Sequence, residues 1–187
     1  MRTARVGQRR TAVALAFMLT AAWPASVRPV AAQGNGLPPH FEPLAFLVGS
    51  CWRGVFADGK TVDVRCLEPV FGGKFVRERH VVRGGARVYR GETLYQWDAT
   101  AGKIGYTYWN SDGGVSTGTM DVDGPRRVFP AERYTDSKGR AREFRTTWLV
   151  ESDSAWVMTT EERRPDGRWA AAWRVAFRRD PSARLED

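Results

Sequence analysis

Turn chemistry recurs along this chain at short, even spacing, and that regularity limits the fold more than any other feature. Asp58-Gly59, Phe71-Gly72-Gly73, Gly84-Gly85, Ala101-Gly102, Ser111-Asp112-Gly113-Gly114, Asp123-Gly124-Pro125, Ser137-Lys138-Gly139, Ser152-Asp153 and Asp166-Gly167 punctuate everything after residue 50. Glycine tolerates positive φ, and Asp or Ser side chains bond their own backbone, so these joints read as tight turns. Between them lie ten runs of strand length: 51–57, 60–69, 74–83, 87–97, 103–110, 115–121, 126–130, 142–150, 155–163 and 168–178. No stretch among them keeps a helical period long enough for a packed helix. Runs joined this closely pair with their neighbours, so the expectation is an all-β, antiparallel up-and-down meander of about ten strands. A sheet of that size curls and closes into a barrel, which removes its unpaired edges.

Two hairpins permit a register to be written down. Around Asp166-Gly167 a two-residue turn sets Trp169 opposite Arg164, Trp173 opposite Thr160, Val175 opposite Met158 and Phe177 opposite Trp156. One face then collects Trp156, Met158, Trp173, Val175 and Phe177, and the other Thr159, Glu161, Arg163, Arg174 and Arg178. A slip of one residue would mix the two sets, which a half-buried sheet does not allow. In the fourth and fifth runs, Trp97 opposite Ile104 brings Tyr95 to Tyr106 and Thr93 to Tyr108. The stripe Tyr95, Trp97, Tyr106 and Tyr108 is either plain core or the lining of a ligand pocket that combines stacking with hydrogen bonds.

The ends of the chain carry other information. Arg2, Arg5, Arg9 and Arg10 precede an apolar run from Thr11 to Trp23, and Val30-Ala31-Ala32 places small residues before Gln33. This is the pattern of a removed export signal over residues 1–32. Pro24 and Arg28 interrupt the run, which argues against a retained anchor and for a mature form without a membrane span. Residues 33–43 then form a leader, 44–180 a single domain and 181–187 a tail. The signal takes five arginines with it, so 24 basic and 21 acidic residues remain, a balance of +3 spread along the chain. The basic composition of the full chain therefore does not point to nucleic acid.

Cys51 and Cys66 are the only cysteines, and an exported chain meets an oxidising compartment. Pairing outward from Asp58-Gly59 sets them directly opposite one another, so a disulfide is expected, with two buried thiols as the alternative. A strict two-residue turn would make them a hydrogen-bonded pair, whose wide Cα spacing disfavours a direct bridge. Neither His40 nor His80 stands at zinc spacing from the cysteines, so no metal site is expected. His80 shares a strand face with Val76, Glu78 and Val82. Glu78 and His80 are thus a candidate acid–base pair inside a barrel, or else a charged outer face or a salt-linked interior pair. Neither a phosphate-binding loop nor a dinucleotide fingerprint occurs. Arg and Glu opposite the aromatic faces are at odds with the lipid-facing band of an outer-membrane barrel.

The opening of the domain is Leu44-Ala45-Phe46-Leu47-Val48 between Pro43 and Gly49, which predicts one short helix, followed by a strand beginning Cys51-Trp52. Together with Phe71-Gly72-Gly73-Lys74-Phe75 and the strand from Gly91 to Asp98, it resembles small bacterial calycin-like (lipocalin-like) β-barrel proteins with an L-x-x-L-x-G-x-W opening, with one more residue before the Trp here. The resemblance implies an early Trp that closes the barrel floor against a basic residue of the last strand, so Trp52 with Arg174 or Arg178. It also implies a barrel that holds a small ligand or fills itself. Some lipocalin-like barrels bind haem through a His on a late strand. Residues 142–178 contain none, so no cofactor is expected. The first functional expectation is an exported soluble barrel binding a small hydrophobic or amphipathic ligand. The alternatives are an enzyme using Glu78 and His80 on a small lipid-like substrate, and a structural or partner-binding barrel with a filled interior.

Overall fold

The structure, a computed structural model, describes residues 37–186; the expected signal over 1–32 lies outside the described residues, as does the leader up to Gly36. Ten strands follow one another: β1 (Ser50–Phe56), β2 (Val62–Val70), β3 (Phe75–Arg83), β4 (Tyr89–Asp98), β5 (Lys103–Asn110), β6 (Val115–Asp123), β7 (Arg126–Thr135), β8 (Ala141–Ser152), β9 (Ala155–Arg163) and β10 (Trp169–Arg179). Each pairs antiparallel with the next, and β1 pairs with β10, so the meander closes into a barrel. Trp97 faces Ile104, Tyr95 faces Tyr106 and Thr93 faces Tyr108, the register expected from the sequence. Trp173, Val175 and Phe177 likewise face Thr160, Met158 and Trp156. Trp169 faces Arg163 rather than Arg164, because a bulge between Ala171 and Trp173 shifts the ladder by one residue.

Cys51 and Cys66 are joined by a disulfide with a Cα–Cα distance of 4.1 Å. The narrow spacing follows from the turn. Phe56 N–H donates to the Thr61 carbonyl at 2.9 Å, so residues 57–60 form a four-residue loop, and Asp58 Oδ1 accepts the N–H groups of Lys60 and Thr61. The facing residues stay as expected, but hydrogen-bonded pairs now start at Phe56 and Thr61. Counting outward by twos leaves Cys51 and Cys66 as a non-hydrogen-bonded pair, the closer kind.

The opening segment differs from expectation. Its helix is a 3-10 helix over Pro39–Leu44, not a helix over 44–48. Phe41, Ala45 and Leu47 each donate to the carbonyl three residues back, and Pro39 and Pro43 have no N–H to give to a longer-pitched ladder. Three residues per turn aligns Phe41, Leu44 and Leu47 on one face, and all three are fully buried. This plug fills one end of the barrel, here called the lower end. Gly49 ends it at φ 76°, and β1 begins at once. Above the plug sit Trp52, Trp156 and Phe177, with the last two rings stacked at 4.1 Å. Burying side chains of this size stabilises by about 1.5–3 kcal/mol each, which anchors the lower half as the core.

A second departure lies in β7. The run expected from the sequence ends at Pro130, yet the strand continues to Thr135 even though proline cannot donate to a ladder. The chain accommodates Pro130 with a bulge. Val128 faces Asp121 but Arg133 faces Thr117 across β6, and Phe129 faces Thr146 but Glu132 faces Phe144 across β8. Both neighbours therefore meet one extra residue on β7. The bulge resets the alternation, so Phe129 and Glu132 point to the same, inner side.

After β10 the chain runs back along the barrel wall. Asp180 N–H donates to the Cys51 carbonyl at 2.9 Å, and an Arg83 nitrogen donates to the Leu185 carbonyl at 3.1 Å. Among the described residues no helix is long and apolar enough to cross a membrane.

Candidate functional site

The plug and aromatic floor fill only the lower half. Above them lies a cavity of about 420 Å³, opening toward the turns that hold Asp112 and the strand ends that carry Tyr134 and Arg142. Alternation along β2 to β5 decides what lines one wall: Asp63 and Arg65 from β2, Glu78 and His80 from β3, Tyr95 from β4, and Tyr106 and Tyr108 from β5. Asp63, Glu78 and His80 are at least nine-tenths buried. Charges removed from water to this extent need partners.

The partners are present. Arg65 Nε donates to Asp63 Oδ2 at 2.8 Å and Arg65 Nη1 to Glu78 Oε1 at 2.6 Å, while its guanidinium lies 5.4 Å from the Phe177 ring centre. Tyr95 O–H donates to the other oxygen of Glu78 at 2.7 Å. His80 Nδ1 lies 3.2 Å from Asp63 Oδ1, and His80 Nε2 lies 3.1 Å from the Tyr108 hydroxyl. The Tyr108 hydroxyl is in turn 2.6 Å from that of Tyr89. Burial pushes the Asp63 carboxyl up, but Arg65 and His80 outweigh it and hold Asp63 below the usual carboxylate range. An ionised Asp63 accepts from Nδ1–H, so in the neutral imidazole Nε2 accepts from Tyr108. Burial likewise pushes the Tyr108 and Tyr95 phenols up, and Tyr89 to about 12, so these hydroxyls serve as proton donors rather than phenolates.

Glycine makes this packing possible at Gly91. A Cβ there would collide with His80 Nε2 and the Tyr108 ring. Gly118 plays the same part beneath Tyr106, where a Cβ would lie 2.6 Å from the hydroxyl.

The opposite wall is different. Phe129, Phe144, Trp148 and Met158 make it apolar, with Glu132 set among them by the β7 bulge. Ser116 O–H donates to Glu132 Oε1 at 2.7 Å. No cation lies within ion-pair distance of Glu132 among the described residues, and burial pushes its carboxyl up against the pull of Ser116 and Tyr106. The Tyr106 hydroxyl, beside Glu132, is buried without a hydrogen-bond partner of good geometry.

The residues singled out from sequence therefore separate. Tyr95, Tyr106 and Tyr108 line the cavity; Trp97 does not. Trp97 shares their face but stands further down the strand, at the plug end, where it is 38 % exposed and stacks on His40 at 5.0 Å. Glu78 and His80 both face the interior but do not bond each other; Arg65 and Tyr95 hold one, Asp63 and Tyr108 the other. Trp52 is fully buried in the floor, and its Nε1 donates to the Leu47 carbonyl at 3.2 Å. Its basic neighbour is neither Arg174 nor Arg178, which point outward, but Arg179, the last residue of β10, whose guanidinium lies 5.0 Å from the Trp52 ring centre and donates to the Phe46 carbonyl at the plug end. Register explains the change: Arg179 is the β1–β10 partner of Trp52.

Asp63, Arg65 and Glu132 line the cavity without being singled out by the sequence pattern. The valines of β2, Val62 and Val64, suggest an inward apolar face, yet they lie on the outer side with the disulfide. The available signal was pairing across Phe71-Gly72-Gly73, which sets Arg65 against His80 and Leu67 against Glu78. For Glu132 strict alternation from Phe129 points the wrong way.

Comparison with known proteins yields fold and nothing finer. No protein-family model matches the chain, and no curated protein matches it. Among solved structures the chain is similar to one described as the crystal structure of Rv2717c from M. tuberculosis, at a TM-score of 0.56 and 11 % identity, covering 77 % of this chain and 99 % of that one. At that identity the likeness shows that the two share a closed antiparallel β-barrel fold.

Proposed function

We propose that this chain is an exported, calycin-like barrel that binds one small, partly apolar ligand in its upper cavity. The observation that carries the reading is the cavity: about 420 Å³, apolar on one wall and fully hydrogen-bonded around Arg65 and His80 on the other. Small-molecule sites take this form, a mostly apolar hollow with a few convergent polar groups. A barrel serving only as scaffold fills such a volume with side chains, since each void forfeits packing contacts. The meander with Trp52 in its floor packed against a basic residue of the last strand supports the calycin-like assignment. The Cys51–Cys66 disulfide supports export, because such bonds persist in oxidising compartments.

Titration with a neutral, polarity-sensitive dye such as Nile red tests the reading. Saturable one-to-one binding with a blue shift is expected. Met158→Trp, which puts an indole into the cavity, should abolish it, while Trp97→Ala at the plug end should leave it unchanged. No saturable binding to the native chain, or equal binding by Met158→Trp, would refute the proposal.

An acid–base enzyme is the second reading, favoured by one observation: the Tyr108 phenol reaches the cavity wall backed by His80 and Asp63. A substrate would meet the Tyr108 oxygen rather than the imidazole, and Tyr108 would accept a substrate proton while passing its own to His80. Turnover that survives both His80→Gln and Tyr108→Phe would eliminate this reading.

A further inference from the structure

The polar groups around the cavity do not balance. Asp63 and Glu78 share Arg65, and His80 bonds Asp63, so that wall is satisfied within itself. At the mouth Arg142 is bonded to Glu162 at 2.7 Å and Asp112 to Arg87 at 2.6 Å. Glu132 alone among these carboxyls has no cation. One of its oxygens accepts from Ser116; the buried Tyr106 hydroxyl lies beside the carboxyl and acts on it, but makes no hydrogen bond of good geometry. Both groups belong to the cavity lining, with the rings of Phe129 and Phe144 on adjoining strands. A carboxyl placed inward by a strand bulge, under-coordinated and surrounded by aromatic faces, presents what a protonated amine seeks: a counter-charge, an oxygen acceptor and π-faces.

We infer that Glu132, with Ser116 and Tyr106, is the polar subsite of the cavity and takes the ammonium group of a ligand whose apolar part rests on Phe129, Phe144 and Trp148. The inference rests on the ligand-binding reading above and names its chemical class, a primary amine on an aromatic or aliphatic body. Burial without a cation holds the Glu132 carboxyl above its ordinary range, and an arriving ammonium relieves that cost. Electrostatic complementarity also disfavours the opposite charge: a carboxylate ligand would meet Glu132, Glu78 and Asp63 across the cavity, and the lining guanidinium groups, Arg65 and Arg142 at the mouth, are already paired with carboxylates.

Three probes of one shape separate the possibilities: phenylbutylamine, phenylbutanol and phenylbutanoate, titrated by calorimetry at neutral pH. The amine should bind at least about tenfold more tightly than the alcohol, the increment of a charge-assisted hydrogen bond, and the carboxylate most weakly. Glu132→Gln keeps the shape of the side chain and removes its charge. It should bring the amine to the affinity of the alcohol while leaving the alcohol unchanged, which also certifies the fold of the variant. Equal binding of amine and alcohol to the native chain, or a preference for the amine that persists in Glu132→Gln, would overturn the subsite and leave the cavity reading intact. Failure of all three probes to bind would overturn both.

Discussion

Replacing Arg65 by Met makes the sharpest test of the interior wall. The thioether retains much of the aliphatic packing but removes the guanidinium that serves Asp63 and Glu78 together. Breaking a buried ion pair by deleting one partner costs about 3–5 kcal/mol, because the remaining charge is left without compensation. Here each carboxylate keeps one other partner, His80 for Asp63 and Tyr95 for Glu78, which places the expected loss near the lower end, about 3 kcal/mol. For a domain of this size that lowers Tm by roughly 6–12 °C. The loss must also depend on pH. In the native chain Asp63 lies below its ordinary value of 3.8, so its contribution is present above that pH and fades as pH falls through the folded-state value. In Arg65→Met the burial that opposes ionisation remains while a main favourable partner is gone, so the folded state holds the Asp63 proton more tightly. The variant then gains stability on acidification relative to the native chain, and the gap between them narrows from pH 7 toward pH 4, on the order of the ordinary carboxyl range. Urea unfolding at several pH values reads both effects, and adding Asp63→Asn and Glu78→Gln should recover part of the loss. A loss under about 1 kcal/mol, or one independent of pH, would show that Arg65 does not compensate the buried carboxylates.

Two further perturbations follow from the packing. Gly91→Ala forces a Cβ against His80 and Tyr108, and overpacking of this kind costs about 1–3 kcal/mol; an unchanged urea midpoint would mean the two side chains can move aside freely. Removing the disulfide as Cys51→Ala/Cys66→Ala releases a bridge between residues 15 apart and should cost about 3 kcal/mol in equilibrium unfolding under oxidising conditions. A much smaller loss would show that the unfolded chain already keeps this hairpin closed.

The barrel was legible because its signals are local. A turn reports itself through Gly, Asp and Ser at the joint, and once the joint is known the facing residues follow by counting. The β4–β5 pairs, the lower β9–β10 pairs and the placement of Cys51 against Cys66 all came from that arithmetic. The plug was harder, since Pro39 and Pro43 permit more than one short helix, and only the burial of Phe41, Leu44 and Leu47 selects the three-residue pitch.

The residue pattern alone carries the all-β meander, most of two hairpin registers and the placement of Cys51 opposite Cys66, because turns and alternation act over a few residues. The tertiary structure alone decided which wall residues meet. Barrel closure brings Arg179 over Trp52, residues 127 positions apart, and sets Asp63, Arg65, Glu78 and His80 into one network across adjacent strands. It also decided that Glu132 faces inward, through a single extra residue at Pro130 that reverses the alternation of β7. A one-residue change in register leaves almost no trace in composition, yet it moves a charge from solvent into the cavity.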